Sequence, residues 1–94
     1  MAQVIIRHTV MDYANFETVF KDDAARRRRL GSRGGRVFRH ADSPNDILIV
    51  LEWESTESAR RFAEGFELHE AMEWATSGSP AQVGVVEEVL ETDA

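Results

Sequence analysis

Ninety-four residues allow one domain, and a chain this short buries only about 60–65% of its unfolded surface, so its core is marginal unless a second copy adds to it. Seventeen acidic against eleven basic residues give a net charge of −6, which opposes general binding to nucleic acid or anionic membranes. The lack of cysteine excludes a disulfide framework and a thiolate metal site; no stretch reaches the ~20 apolar residues of a membrane span, and residues 1–10 meet Arg7 and His8 before any leader-like run, so a cytoplasmic location is expected.

Residues 3–10 alternate, with Val4, Ile6, His8 and Val10 on one side and Gln3, Ile5, Arg7 and Thr9 on the other, as a half-buried strand requires. Asp12 then caps a helix in which Tyr13, Phe16, Val19, Phe20, Ala24 and Leu30 recur at helical spacing, and the helix stops at Gly31. Its last turns hold Arg26, Arg27, Arg28 and Arg29, where cations suit the negative end of the helix dipole. At ~100° per residue these four arginines sweep around the helix and do not converge on a phosphate. Asp22 and Asp23, three to four positions earlier, offer intrahelical ion pairs instead. Gly31, Gly34 and Gly35 follow a helix and lack the lysine and hydroxyl residue of a phosphate loop, so they are read as a turn.

The second strand is expected over residues 36–41, and Asp42, Ser43, Pro44, Asn45 and Asp46 supply the hairpin turn to a third strand over residues 47–54. Ile47 to Leu51 is continuously apolar, as suits a central strand covered on both faces. Ser55 or Thr56 caps a second helical segment, residues 56–77, with Ala59, Phe62, Ala63 and Phe66 in its buried stripe. Gly65 is a candidate break, and a continuation turns Leu68, Ala71, Met72 and Ala75 inward. Residues 76–80 are expected to form a loop and residues 82–91 the last strand.

The order strand, helix, strand, strand, helix, strand defines an α+β class with a four-stranded antiparallel sheet, in a single domain over residues 1–94. Both amphipathic helices are placed on one face of that sheet. The opposite face still carries Ile5, Phe38, Val50 and Val86, so a homodimer through the sheet faces is expected to bury them.

His8 late in the first strand, the segment Gly34-Gly-Arg-Val-Phe-Arg39, the Asp42-Ser-Pro-Asn-Asp46 turn and Leu51-Glu-Trp-Glu-Ser55 before the second helix resemble the dimeric α/β-barrel superfamily, over nearly the whole chain. Within it, the likeness is to the small antibiotic-biosynthesis-monooxygenase-like and cyclase-like proteins. The resemblance implies two ferredoxin-like protomers packed sheet to sheet, each with a pocket between its own sheet and helices. It also implies cofactor-independent chemistry on a small cyclic or aromatic metabolite; the alternative is a non-catalytic homodimer that binds a ligand or a partner protein. Haem-degrading members carry an asparagine on the first strand and, on the second helix, a tryptophan and an iron-binding histidine. Those places hold Ile6, Phe62 and Met72 here, so no haem or other cofactor is expected. The asparagine and tryptophan of the quinone-forming oxygenases are likewise not recovered.

His8 is the candidate general base, since it shares a strand face with Val4 and Ile6 and imidazole is the side-chain type suited to proton transfer near neutral pH. The competing reading is a histidine hydrogen-bonded to backbone or to Tyr13. Trp53 ends the apolar strand as a pocket wall or as plain core, and Tyr13 and Arg39 are polar anchors or packing residues. Phe62, His69 and Met72 on the second helix complete the candidate substrate contacts. His69 and Glu73 are spaced four apart, as a hydrogen-bonded pair or two metal ligands would be, but no third ligand is evident and no metal is expected. His40 beside the turn is expected to be exposed or at the dimer contact.

Overall fold

The alternation of the first segment becomes β1 (Ala2–Thr9), whose residues Ala2, Val4, Ile6 and His8 turn into the molecule while Gln3, Ile5 and Arg7 face the other way. A computed structural model of the chain describes residues 2–73 and 81–94, with side chains in the last helix described as far as residue 66. The elements that follow are α1 (Tyr13–Asp22), α2 (Ala24–Leu30), β2 (Ser32–His40), β3 (Ser43–Trp53), α3 (Thr56–Glu73) and β4 (Gln82–Glu87). The sheet order is β2-β3-β1-β4 and every pairing is antiparallel, which is the ferredoxin-like arrangement anticipated from the element order.

Register places the core. Ile6 lies opposite Ile49 and Val4 opposite Leu51 on the two central strands, so four apolar side chains meet under the helices. Val4, Ile6, Ile47 and Trp53 are the largest fully enclosed side chains, and Ala59, Phe62 and Ala63 of α3 close over them. Burial of this order supplies ~1.5–3 kcal/mol for each large apolar side chain, before chain entropy is set against it.

Several element boundaries differ from expectation, each for a local reason. The first helix is split at Asp23, which ends α1 and begins α2 with φ −88° and ψ 0°. Aspartate prefers helix ends because its short carboxylate competes for local donors. Here the Asp23 carboxylate takes two hydrogen bonds from Arg26, at 2.8 and 2.9 Å. Asp12 caps α1 as expected, accepting from the Ala14 N–H at 3.2 Å. Of the two candidate caps for α3 it is Ser55 that serves, its Oγ accepting from the Ser58 N–H at 3.1 Å.

β2 starts earlier than expected, at Ser32, because Gly34 and Gly35 lie inside the strand and not before it. Gly34 carries φ +123° at a bulge between Ser32 and Gly34. Gly35 lets β3 approach closely: a Cβ there would lie 2.5 Å from the Val50 carbonyl oxygen. The hairpin turn shrinks to Ala41 and Asp42, with Pro44, Asn45 and Asp46 absorbed into a second irregularity at the start of β3. α3 continues through Gly65 without a break, and β4 stops at Glu87, four residues short of the expected end. The loop expected at 76–80 and the inward side chains Leu68, Ala71, Met72 and Ala75 lie outside the described residues.

Candidate active-site cavity

A cavity of about 860 Å³ opens between the helices and the sheet, within the range of about 300–1,000 Å³ usual for small-molecule sites. Its floor is Ile6 and His8 from β1 with Ile49 and Leu51 from β3. These side chains are buried, and the alternation of the two strands places them side by side. One wall comes from α1, where Phe16 and Phe20 stack at 5.4 Å between ring centroids. The facing wall comes from α3, where Phe62 and Phe66 stand 6.1 Å apart and Gly65 leaves room beside them. Val19 and Leu30 line the same space yet are 60% and 47% exposed, which makes their side the mouth.

The cavity is therefore a slot between two pairs of phenylalanine rings. Its polar content is concentrated at the α1–α2 junction and the start of α3, where Asp22, Asp23, Arg26, Arg27 and Arg61 contribute. Arg61 is held by Glu57 one turn earlier, and Arg26 by Asp23, whose hydrogen bonds favour the charged guanidinium and raise its affinity for the proton. Arg27 differs: burial pushes its guanidinium below the ordinary arginine range, with the attraction of Asp23 opposing this and the charge of Arg26 adding to it.

Of the residues singled out from sequence, His8 and Phe62 both reach this cavity, His8 on the floor and Phe62 on the α3 wall. Trp53 is fully buried behind that wall, 4.7 Å from Phe62 between ring centroids, and does not line the slot. Its indole N–H has no acceptor among the described residues. Tyr13 and Arg39 come together, with the Arg39 guanidinium 4.8 Å from the Tyr13 ring centroid, but at the start of α1 and away from the lining. The side chains of His69 and Met72, and hence the His69–Glu73 pairing, lie outside the described residues. Among the described residues no group of three metal-ligating side chains occurs. His40 is exposed and its Nδ1 accepts from the Asp42 N–H at 3.1 Å.

Arg27 is the cavity residue that the sequence reading passed over. The four-arginine run does spread around the helix, and Asp23 does pair within it, but two of the four, Arg26 and Arg27, still reach the cavity. One signal was available. Arg27 stands seven residues after Phe20, two turns along the apolar stripe, where a further hydrophobic residue is expected.

The chain matches no protein-family model and no curated protein. It does match solved structures. A variant of SnoaB, a cofactor-independent oxygenase from Streptomyces nogalater, aligns with a TM-score of 0.68 at 23% identity over 99% of this chain and 96% of that one. A Bordetella bronchiseptica protein described as an antibiotic biosynthesis monooxygenase aligns with a TM-score of 0.57 at 23% identity, over 95% of this chain and 97% of the other. A variant of MhuD with two manganese protoporphyrin IX molecules per active site aligns with a TM-score of 0.59 at 18% identity, over 99% and 98%. These likenesses show the fold: this chain has the ferredoxin-like architecture of the antibiotic biosynthesis monooxygenase structures over nearly its whole length.

Proposed function

We propose that this protein is a cofactor-independent enzyme that removes a proton from a small, flat, cyclic or aromatic molecule, with His8 as the base. The observation that carries this reading is the placement of a buried imidazole on the floor of a slot walled by Phe16, Phe20, Phe62 and Phe66. A ring held between those walls presents its edge to the floor, where His8 can accept a proton from an acidic C–H or a phenol. The low-polarity surroundings strengthen any interaction with the anion so formed. If the substrate is a ketone with an acidic methylene, the resulting carbanion can reduce O2: the C–H carbon becomes a carbonyl, one oxygen atom is retained and the other leaves as water. The fold shared with SnoaB supports this outcome, because that protein is described as an oxygenase that needs no cofactor.

We place the catalytic unit in a homodimer joined through the open sheet faces. Phe38 and Leu48 lie opposite each other on β2 and β3 of that face and are 49% and 38% exposed. Ile5 and Val50 are paired beside them, so the strip runs across three strands. A second copy is the simplest cover for it.

Anthrone, a flat tricyclic ketone with an acidic methylene, tests the chemistry. Without oxygen, the protein should accelerate deuterium exchange at that methylene in D2O, read by NMR. His8→Gln should slow the exchange by roughly a hundredfold or more while the dimer persists. Unchanged exchange in the variant removes His8 from the mechanism. Binding of anthrone without any exchange identifies a ligand-binding protein instead.

A further inference from the structure

Given that the cavity holds a flat ring system, as proposed above, we propose that Arg27 is its specificity residue and selects ligands that carry a carboxylate on the ring. The Arg27 side chain is only 9% exposed, and it lines a cavity whose remaining lining is apolar except for His8, Asp22, Asp23, Arg26 and Arg61. Its guanidinium lies 3.8 Å from the Phe20 ring centroid, so one side of the cation is covered by that ring. Among the described residues Asp23 is its nearest carboxylate, at 3.7 Å, which is beyond hydrogen-bond distance. The hydrogen bonds of Asp23 are already engaged by Arg26 at 2.8 and 2.9 Å. Among the described residues, no acceptor takes a hydrogen bond from the Arg27 guanidinium.

A buried cation in this condition is costly, because desolvation is only partly offset by a distant and partly solvated partner. Its planar donor fork matches a planar carboxylate and can hold it through two parallel hydrogen bonds. The same carboxylate replaces the lost hydration of the cation. Phe20, which stacks with Phe16 and lies against the Arg27 guanidinium, links the anion-recognising end to the aromatic wall. The two features together define one ligand class, an aromatic carboxylate whose ring lies between the phenylalanine pairs and whose charge lies toward the α1–α2 junction.

The full-length protein is titrated at pH 8 with anthracene-2-carboxylate and with the equally shaped, uncharged anthracene-2-carboxamide, and binding is followed by ligand fluorescence. The carboxylate should bind at least about tenfold more tightly than the amide. Arg27→Met should bring the two within about twofold of each other, weakening the carboxylate at least about fivefold more than the amide, a result that a purely structural role for Arg27 does not produce. Arg27→Lys, which keeps the charge and loses the fork, should retain part of the preference and serves if the methionine variant does not fold. Equal affinity of both probes for the unmodified protein overturns the assignment while leaving the cavity as a ring-binding site. Persistence of the preference in Arg27→Met also overturns it, and moves the role to Arg26 or Arg61. If neither probe binds, the reading of the cavity as an aromatic-ligand site fails, and the role of Arg27 with it.

Discussion

Two adjacent glycines, Gly34 and Gly35, are required for different physical reasons. Gly34 has open space around it but carries φ +123°, a backbone conformation that costs an L-residue roughly 1–2 kcal/mol. Gly35 has ordinary backbone angles but no room: an added methyl meets the Val50 carbonyl oxygen at 2.5 Å and a Leu51 methyl at 2.8 Å. Backbone cannot yield as a flexible side chain does, so Gly35→Ala should cost about 2–3 kcal/mol, of the size seen on overpacking a core. Because Leu51 also forms part of the cavity floor, Gly35→Ala should in addition weaken binding of a flat ligand, whereas Gly34→Ala should lower stability alone. Urea unfolding and probe titration of the two variants separate the effects. From sequence both are expected in a turn; the structure sets both inside β2, where only Gly34 uses the conformational freedom of glycine and Gly35 is required by its close neighbour.

At the scale of the element, α3 is the informative case. A glycine nine residues into a helix of 18 is read from sequence as a break, because it costs about 1 kcal/mol relative to alanine. The helix passes through it nonetheless, since Ala59, Phe62 and Ala63 pack against the sheet on one side and hold the backbone in place. A Cβ at Gly65 meets nothing within 4 Å. Gly65→Ala should therefore stabilise the protein by about 0.5–1 kcal/mol, measured as a rise in the denaturant midpoint with an unchanged slope. A loss of stability would mean that the glycine serves the helix in a way its surroundings do not reveal. The opposite error occurred in the first helix, where continuous apolar spacing concealed the interruption at Asp23. Spacing reports which face is buried; it does not report a carboxylate that prefers to end one helix and begin another. The residues around that interruption, Asp22, Asp23, Arg26 and Arg27, line the cavity.

At the scale of the molecule, the sheet has one covered face and one open face. Strands β1 and β3 show this most plainly: Ile6, Ile49 and Leu51 are buried, while Ile5 and Val50 between them are only partly so and Leu48 is exposed. Charged groups surround the strip, with Arg7 and Asp46 bridged at 3.5 Å near one end. The proposed pairing of two copies through this face is open to a single test. Leu48→Glu places a charge in the middle of the strip, where no cation of its own chain faces it across the sheet except Arg7 on the neighbouring strand. Sedimentation should show a dimer for the unmodified protein and a monomer for Leu48→Glu at micromolar concentration, with a dissociation constant raised by about a hundredfold or more. A stable monomer in both cases removes the second copy from the proposal and leaves the cavity untouched.

The amino-acid sequence by itself determined the order of the strands and helical segments, the sheet face that the residues of β1 and β3 take, and the apolar stripe that α3 buries. These follow from periods of 2 and 3.6, which are properties of the local backbone and are written into every few residues. It also identified His8 and Phe62 as facing the helix–sheet space, by the same periodicity. Only the tertiary structure decided that a slot of about 860 Å³ remains between the helices and the sheet, that Trp53 fills the layer behind it, and that two arginines of the four reach the slot, one of them buried. Those outcomes depend on how far apart packed elements stand and on where a helix is interrupted. Both are set by contacts between residues distant in the chain, which a local period does not record.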